Sequence, residues 1–330
     1  MTISKILITG IAGSAGSYLA EYICNHQRDV EVHGIAGFRT SRENLEGIED
    51  RVIVHDADLM DFGSIIPILQ KVSPDAIYHL AAYANVRASF TTPSTVLCNN
   101  IIGTSNLCEA VRLLQQDPII QLCSTSEVYG QVDAKDIPIG EDTPFRPASP
   151  YAVSKVAQDM LGWTYFAAYK MRIVRTRMFS YLNPRRPDLF ATSFARQIAW
   201  IECGRQKVLL HGNLDSVRSF IDVRDAMRAY WLALLHCKPG AVYNIGGTKG
   251  IKVGEVLERL IALSRVPIPT QFSQELVRPA DVTLQIPCVD RFVGVTGWEP
   301  QYTFDDSLQD LMTYWRMQAA RAVLPVHSLQ

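Results

Sequence analysis

Two short stretches carry side chains whose types and spacing could move protons. In PASPYAVSK, Tyr151 and Lys155 are four residues apart, which places both on one face if the stretch is helical. A lysine ammonium close to a phenol favours the phenolate, so the pair could act as a general base. In LCSTSEVYGQ, the hydroxyl of Thr125 is followed two residues later by the carboxylate of Glu127. If this strand end faces a cleft, Glu127 could supply a second acid–base group.

A glycine-rich turn follows the first apolar run. GIAGSAG places Gly10, Gly13 and Gly16 between KILIT and a stretch with helical spacing. Such a turn lets the backbone approach a pyrophosphate, and the N-terminus of the next helix offers N–H donors and a positive dipole end. The sequence therefore predicts a dinucleotide site at the start of the chain.

The loop after the second predicted strand reads AGFRTSR and contains no acidic residue that could hold a ribose 2′-hydroxyl. Arg39 and Arg42 occupy this loop instead. A guanidinium suits a 2′-phosphate. We therefore expect NADP as the cofactor, with NAD as the less favoured alternative.

The elements that must position these groups alternate along the first half of the chain. Apolar runs predict strands over residues 5–9, 30–35, 51–55, 75–80, 119–123 and 173–178, and helical spacing predicts helices over 15–24, 62–71, 95–114 and 150–169. This alternation is typical of an α/β fold with a Rossmann-type, doubly wound parallel sheet. We predict an NADP-binding domain over residues 1–180, with a returning segment near 215–250, and a smaller α/β substrate-binding domain over 181–330.

Composition limits the classes of partner. The chain has 330 residues, 48% of them hydrophobic and 20% charged, with a formal net charge of −1. No overall field attracts nucleic acid or anionic membrane, and no apolar run is long enough to span a bilayer. The seven cysteines form no CxxC pair, and the histidines show no spacing typical of metal ligands, so we expect no metal. The chain starts directly with a strand pattern and no signal peptide, which predicts a cytoplasmic protein.

The motifs GIAGSAG, DADL, HLAA, NNIIGT, STSE and SPYAVSK together resemble those of the extended short-chain dehydrogenases/reductases that act on nucleotide sugars. The resemblance extends over residues 6–315. GNLDSVRSFIDVRDA, VRPADVT and TGWEP resemble the GDP-mannose branch, which contains GDP-mannose 4,6-dehydratase and GDP-4-keto-6-deoxymannose reductase. The resemblance implies a GDP-sugar substrate.

The resemblance also implies roles for individual residues. Thr125 would polarise the substrate oxygen, Tyr151 would move the proton of the sugar 4-hydroxyl, and Lys155 would hold the nicotinamide ribose. In a dehydratase, Glu127 would take the C5 proton and protonate the hydroxyl that leaves C6. Further cofactor contacts are implied for Asp58, Leu59, Ala81 and Asn100. Substrate contacts are implied for Ser89, Ser126, Ser180, Asn183, Arg185, Arg218, Arg278 and Asp281, with Arg218 and Arg278 on the diphosphate and Asp281 on the nucleotide ribose.

The sequence is compatible with two enzymatic functions and with a third, non-catalytic one. A 4,6-dehydratase is favoured because it needs a second acid–base group beside the hydroxyl, and Glu127 supplies one. An NADPH-dependent GDP-4-keto-6-deoxy-sugar reductase is the alternative, since reductases of this branch can carry a glutamate at this place. A non-catalytic NADP-binding sensor of the same fold is the third.

The sugar and the assembly also stay open. Ser180 and Ala84 depart from the family pattern where the sugar would lie, so either a GDP-hexose or a GDP-heptose fits. The predicted helices over 95–114 and 150–169 resemble a dimer-forming pair, which predicts a homodimer or a homotetramer.

Overall fold

The computed structural model describes residues 3–277 and 279–321. Its strands are, in chain order, β1 (Lys5–Thr9), β2 (Glu31–Ala36), β3 (Val52–Asp56), β4 (Ala76–His79), β5 (Ile119–Thr125), β6 (Ile173–Met178), β7 (Tyr181–Leu182), β8 (Leu209–His211), β9 (Val217–Ser219), β10 (Ile221–Asp222), β11 (Val242–Ile245), β12 (Gly250–Lys252), β13 (Thr270–Phe272) and β14 (Leu284–Gln285). Its α-helices are α1 (Ser14–His26), α2 (Phe62–Val72), α3 (Val86–Thr91), α4 (Pro93–Leu113), α5 (Pro150–Tyr169), α6 (Phe190–Glu202), α7 (Val223–His236), α8 (Val253–Ala262), α9 (Asp290–Thr296) and α10 (Phe304–Arg321).

Seven of these strands form one parallel sheet in the order β11-β6-β5-β4-β1-β2-β3. Strand β1 pairs with β2 on one side and with β4 on the other, so the order of the strands reverses between β1 and β4. At such a reversal the loops after the two strands diverge and leave a crevice for a ligand. The predicted Rossmann-type, doubly wound sheet is confirmed, and β11 returns to it beside β6 as expected.

Helices cover both faces of the sheet. Ile6 and Ile8 of β1 pack with helices α1 and α7 on one face. Leu7 points to the other face and packs with α2, α4 and α5. The run KILIT is continuously apolar because successive side chains of a strand alternate between two faces, and both faces are buried here.

Local signals fix the start of α5, the helix that carries Tyr151 and Lys155. The hydroxyl of Ser149 accepts a hydrogen bond from the N–H of Ala152 at 3.1 Å, and Pro150 occupies the first helical turn. A serine cap followed by proline is a strong start signal, because both satisfy or remove donors that have no partner within the helix. The predicted helix over residues 150–169 is confirmed.

A separate apolar cluster forms in the second half of the chain. Helices α6, α8 and α10 contribute Phe194, Leu257 and Leu311, and Leu182 of β7 joins them. Three small sheets accompany it: β12-β9-β14, β10-β7 and β13-β8. This cluster supports a smaller C-terminal domain, whose boundary at residue 180 stays a prediction.

The cysteines, the possible metal ligands and the helix lengths bear on disulfides, metal binding and membrane insertion. All seven cysteines are free thiols. Within residues 3–277 and 279–321, no group of three His, Cys, Asp or Glu side chains is arranged to hold a metal ion. In the same ranges, no helix combines the length and the apolar character needed to cross a bilayer.

Candidate active site

A cavity of about 680 Å³ opens at the carboxyl ends of β1, β4, β5 and β6, beside the strand reversal. Its wall also includes residues from the C-terminal half of the chain. The four predicted catalytic residues, Thr125, Glu127, Tyr151 and Lys155, all line this cavity. The structure therefore brings the two proton-moving stretches into one space.

Thr125 and Glu127 are positioned by the turn that ends β5. Thr125 is the last residue of the strand, and its Oγ1 accepts a hydrogen bond from the N–H of Glu127 at 3.3 Å. This bond begins a 3-10 turn in which Val128 and Tyr129 are buried in an apolar cluster. Because these two side chains anchor the turn, the carboxylate of Glu127 is held at the cavity wall beside the Thr125 hydroxyl.

Tyr151 and Lys155 lie one turn apart on α5, and their side chains are 8% and 4% exposed. The Nζ of Lys155 donates to the backbone carbonyl oxygen of Cys123, two residues before Thr125 on β5. The hydroxyl of Thr125 lies close enough to the Tyr151 phenol to lower the pKa of that phenol. Hydroxyl and phenol are thus neighbours in the cavity, and the ammonium is anchored to the strand that carries the hydroxyl.

Burial dominates the electrostatics of this pair. It raises the pKa of the Tyr151 phenol, and the strongest opposing charge is that of Arg186. The hydroxyl of Thr125 also lowers this pKa, whereas the Glu127 carboxylate raises it further. The expectation that Lys155 lowers the pKa of Tyr151 is therefore wrong for the chain alone, because loss of hydration outweighs the attraction of nearby cations. Burial also lowers the pKa of Lys155 itself.

The predicted glycine loop lies at the strand reversal. Gly10 has a φ of +72°, and a Cβ on it would approach Ala81 to 3.0 Å. A Cβ on Gly16 would overlap the carbonyl oxygen of Gly10. Helix α1 begins at Ser14 after Gly13, which has no side chain to cap it. The first N–H groups of α1 can therefore donate to an anion in the cavity, as a pyrophosphate requires.

The residues predicted for the adenosine side follow β2 and β3 and lie outside the cavity lining. Arg39 is exposed and forms no ion pair within the described residues, whereas Arg42 pairs with Asp56 at 2.7 Å. Asp58 is exposed, and its Oδ1 accepts from the N–H of Met60 at 2.9 Å. Leu59 packs against Gly103 of α4, on the apolar side of the loop. Arg39 is thus the arginine of this loop whose guanidinium is available.

The loop after β4 forms another wall of the cavity. Ala81 lines it, as the small residues of HLAA predict. Asn100 and Ser89 lie behind that wall and do not line the cavity, and their contacts with cofactor and substrate stay predictions. The side chain of Asn100 accepts from the N–H of Tyr83 at 2.8 Å and donates to Ser154 at 2.8 Å. Ser89 is buried and bonds a carbonyl of its own helix. Both residues position the wall because their polar groups are used within the protein.

His79 joins this wall to the glycine loop. Its Nδ1 lies 2.9 Å from the hydroxyl of Thr9, and its Nε2 lies 2.8 Å from the hydroxyl of Thr104. Thr9 in turn accepts from the N–H groups of Leu80 and Ala81. Burial lowers the pKa of His79 to about 3. The imidazole therefore stays neutral and holds β1, β4 and α4 together.

We expect this histidine to make stability depend on pH. The unfolded chain binds a proton at His79 near pH 6.5, but the folded chain does not until about pH 3, so stability is complete above pH 6.5 and falls as the pH drops towards 3. Between pH 6.5 and pH 5 the loss from this group is about 2 kcal/mol. Urea unfolding at both pH values should show a smaller loss in His79→Gln than in the wild type. His26→Gln, which changes an exposed histidine, should keep the wild-type loss, and an unchanged loss in His79→Gln would contradict this role.

Four residues predicted to bind substrate line the cavity: Ser126, Ser180, Arg218 and Asp281. Arg218 is 7% exposed and donates to the carbonyl oxygens of Val217 and Val282. Asp281 accepts from Asn213 at 3.1 Å. Arg278 lies outside the described residues. The Arg218 guanidinium and the Asp281 carboxylate therefore belong to the part of the cavity wall that the C-terminal half of the chain forms.

Asn183 and Arg185 do not line the cavity, and their substrate contacts stay predictions. Asn183 is fully buried, and its Nδ2 donates to the carbonyl oxygen of Ser14 at 3.2 Å. Arg185 pairs with Glu21 of α1, and its guanidinium lies 4.1 Å from the ring centroid of Tyr18. Both side chains attach the segment after β7 to α1.

Arg186, which the sequence did not single out as a binding residue, lines the cavity instead. It pairs with Asp188 at 2.7 Å and donates to the carbonyl oxygen of Ala84 at 3.3 Å. The two consecutive arginines of NPRRPD could have indicated a cation at the cavity wall. The sequence pattern does not show which of the two lines the cavity.

Comparison with known proteins extends over nearly the whole chain. The sequence pattern of the family described as GDP-mannose 4,6 dehydratase matches residues 7–311. A Vibrio cholerae protein named GDP-mannose 4,6-dehydratase is 31% identical over 98% of this chain and 97% of its own. A GDP-6-deoxy-D-mannose reductase of Pseudomonas aeruginosa is 30% identical over 94% of this chain and 97% of its own. Overall similarity therefore does not separate the two reactions.

Similarity to solved structures does not separate the two reactions either. RMD from Pseudomonas aeruginosa, complexed with NADPH, has a TM-score of 0.82 and 28% identity, over 96% of this chain and 99% of that chain. The UDP-glucose 4-epimerase of Thermus thermophilus, in complex with NAD, has a TM-score of 0.83 and 26% identity, over 94% of this chain and 99% of that chain. The fold is shared among enzymes with different reactions, so the side chains in the cavity must decide between them.

Proposed function

The chain belongs to the GDP-mannose 4,6 dehydratase family, and from this premise we propose that it is an NADP-dependent GDP-sugar 4,6-dehydratase. The substrate is GDP-mannose or a closely related GDP-hexose or GDP-heptose, and the product is the 4-keto-6-deoxy sugar. The observation that carries the proposal is the carboxylate of Glu127 at the wall of the cavity that also holds Thr125, Tyr151 and Lys155.

The first part of the reaction is assigned to the hydroxyl, the phenol and the ammonium. Tyr151 accepts the proton of the sugar 4-hydroxyl as the C4 oxygen becomes a ketone. Thr125, which lies near Tyr151 in the same cavity, donates to the same oxygen and holds it at the phenol. Lys155, anchored to β5, supplies a positive charge that favours the phenolate once the site is closed by its ligands.

The second part is assigned to Glu127. A ketone at C4 acidifies the C5 proton, and Glu127 removes it as a base. The same carboxyl group then protonates the hydroxyl that leaves C6 as water. Bound NADP would supply the redox chemistry, taking a hydride from C4 and returning it to C6, so the net reaction consumes no cofactor. Return of the hydride to C6 requires a proton at C5, which balances the proton that Tyr151 took from the 4-hydroxyl. Because Glu127 acts first as a base and then as an acid, the mechanism needs a carboxylate beside C5 and C6 of the sugar.

The residues present fit NADP. Gly10, Gly13 and Gly16 leave the space that a pyrophosphate needs, and the first turn of α1 supplies the N–H groups. Arg39, exposed after β2, suits a 2′-phosphate.

We expect Arg39→Ala to weaken NADP binding about ten- to a hundredfold and to leave NAD binding unchanged, because a charge-assisted hydrogen bond to the 2′-phosphate is lost. Calorimetric titration of both dinucleotides measures this. Arg42→Ala is the matched control in the same loop, and its effect should stay below about threefold because its guanidinium is engaged with Asp56. Equal losses for NADP and NAD in Arg39→Ala would contradict the assignment.

The GDP-sugar diphosphate is assigned to Arg218, whose planar guanidinium matches phosphate oxygens, and to Arg278. Asp281 is assigned to the nucleotide ribose, and Ser126 and Ser180 to the sugar. Arg186 joins this set because it lines the cavity beside Ala84. Its charge faces Tyr151 as well, so it can act on the reacting end of the sugar.

The second candidate is the NADPH-dependent reduction of a GDP-4-keto-6-deoxy sugar, which the reductase relative favours. The two are separated by incubating the purified protein with NADP and GDP-mannose or GDP-manno-heptose. The dehydratase converts one of these sugars to a 4-keto-6-deoxy product without net change of absorbance at 340 nm. The reductase leaves both sugars unchanged and oxidises NADPH in proportion to added keto sugar.

We further propose that the protein is at least a homodimer through α4 and α5, with a tetramer as the larger alternative. Apolar side chains remain exposed on this helix pair to a degree unusual for a solvated surface: Ile102 44%, Leu113 56%, Val153 44%, Met160 37% and Trp163 46%. A second copy of the same helices would cover them.

Met160→Asp should separate the dimer, because a charge in a symmetric apolar interface is buried twice. Light scattering at micromolar concentration should report a smaller assembly for the variant than for the wild type, whose mass should be at least twice the 36.9 kDa of one chain. Val295→Asp changes an apolar side chain of α9 with 40% exposure and should remain dimeric. A monomeric wild type would contradict the proposal.

We also propose that the protein acts in the cytoplasm. Its seven free thiols suit a reducing compartment. Fractionation of cells that produce the tagged protein measures this, and recovery from a secreted fraction would contradict it.

A further inference from the structure

A buried cluster of charges lies beneath the catalytic pair, and the mechanism above uses none of it. Asp159 of α5 is fully buried and accepts hydrogen bonds from Arg175 at 2.9 Å and from Arg177 at 2.9 and 3.2 Å. Both arginines belong to β6 and are 6% and 3% exposed. One carboxylate therefore balances two guanidiniums in a layer that water does not reach.

This cluster adjoins Lys155. Asp159 follows Lys155 by one helical turn, so the two side chains lie on the same buried face of α5. Lys155 is attached to β5 through the carbonyl oxygen of Cys123, and Asp159 is attached to the next strand, β6, through Arg175 and Arg177. Because the layer is dry, the attraction between this carboxylate and the ammonium is only weakly screened.

The charges of this layer are unequal in number. Three cations face it, namely Lys155, Arg175 and Arg177, and Asp159 is the carboxylate in direct contact with it. The other titratable groups at its border come from β4, β5, the turn after β5, the loop before α5, the start of α5, and α7: His79, Cys123, Glu127, Tyr129, Glu141, Tyr151 and Tyr230. The carboxylate of Glu141 is buried and accepts from the N–H of Asn244, while its backbone carbonyl oxygen accepts from Arg177. His79 is neutral at pH 7 because its pKa is lowered to about 3. Removal of Asp159 would leave two guanidiniums beside a buried ammonium.

We propose that Asp159 is a positioning residue that keeps Lys155 protonated beneath Tyr151. The inference rests on the proposed function, in which the ammonium favours the phenolate of Tyr151. Burial lowers the pKa of Lys155, and Cys123 and the carboxylate of Asp159 raise it again. Without Asp159, the loss of hydration acts on the ammonium with one opposing negative charge fewer.

The direct test uses Asp159→Asn and the free protein. Competitive labelling with acetic anhydride across pH, quantified on the peptide that contains Lys155, reports the pKa of this amine through the cavity that it lines. We expect the pKa of Lys155 to fall by at least one unit in the variant. The alkaline limb of kcat/KM against pH should move down by the same amount, and activity should recover at lower pH. A loss of activity that is equal at every pH, with an unchanged pKa of Lys155, overturns the proposal.

A second variant keeps the test decisive if Asp159→Asn does not fold. Arg175→Met removes one cation and leaves the carboxylate paired with Arg177. The pKa of Lys155 should then rise, by at least half a unit, in the opposite direction to the first variant. Arg172→Met changes an arginine near the start of β6, outside the cluster, and should cause no shift. A fall or no change in Arg175→Met contradicts the proposal.

The two readouts separate this inference from the proposed function. The labelling experiment needs neither cofactor nor substrate, so it tests Asp159 even if the GDP-sugar assignment fails. Wild-type protein that converts no GDP-sugar refutes the proposed function alone. Wild-type protein that is active, with a pKa of Lys155 that does not respond to either variant, refutes the inference about Asp159 alone.

Discussion

Glu127→Gln is expected to stop dehydration and to leave oxidation at C4 intact. The amide occupies the same place but can neither take the C5 proton nor protonate the hydroxyl at C6. General acid–base catalysis contributes about a hundred- to ten-thousandfold, so formation of the 4-keto-6-deoxy product should fall by that factor. The hydroxyl, phenol and ammonium are unchanged, so single-turnover mixing of protein, NADP and GDP-sugar should still raise the absorbance at 340 nm.

The matched control is Glu43→Gln, which changes an exposed carboxylate in a 3-10 turn remote from the cavity. It should keep wild-type dehydration. Glu127→Gln with undiminished dehydration would remove the assignment of Glu127. A protein that instead oxidises NADPH with a keto sugar, at a rate that Glu127→Gln barely changes, would identify the reductase.

Tyr151→Phe should lower the rate of both parts of the reaction, because removal of the phenol leaves no group to take the proton of the sugar 4-hydroxyl. The expected loss in kcat is again about a hundred- to ten-thousandfold. Unlike Glu127→Gln, this variant should give no rise in absorbance at 340 nm in a single turnover. Calorimetry should find NADP affinity within about threefold of wild type, since the phenol contributes mainly to the chemical step.

Tyr165→Phe is the control for Tyr151→Phe. Tyr165 is a buried tyrosine on the same helix, and its hydroxyl lies 3.4 Å from that of Ser105 on the opposite side from the cavity. The control removes one hydroxyl from α5 at nearly the same burial as Tyr151. Because this hydroxyl lies away from the cavity, the variant should keep wild-type rates. Comparable losses in both variants would mean that α5 is sensitive to any such change and that the phenol of Tyr151 has no special role.

Sequence patterns were sufficient for the sheet, for the glycine loop and for the two catalytic stretches. Each depends on a local rule: alternation of apolar runs gives βαβ units, and spacing of four residues places Tyr151 and Lys155 on one face. The short helix α3 was not predicted, because the predicted helix covered only residues 95–114. Pro93 follows Thr92 and disfavours helical backbone there, and this separates the two helices.

The direction in which a side chain points depends on tertiary contacts, which the sequence does not show. Arg185 and Arg186 are neighbours, yet one pairs with Glu21 of α1 and the other faces the cavity. Asn100 is fully used in holding the loop after β4. The pKa of Tyr151 followed burial, and a sequence does not report burial depth. Asp159 showed no motif at all, because its partners lie on a different element.

The measurement that tests the account most directly follows one hydrogen atom. GDP-mannose, or GDP-manno-heptose, labelled with deuterium at C4 is incubated with the protein and unlabelled NADP, and the product is analysed by mass spectrometry and NMR. The account predicts a 4-keto-6-deoxy sugar that carries the deuterium on C6, with no net NADPH formed. A product whose deuterium is lost to the cofactor pool, or no conversion of either sugar, would contradict it.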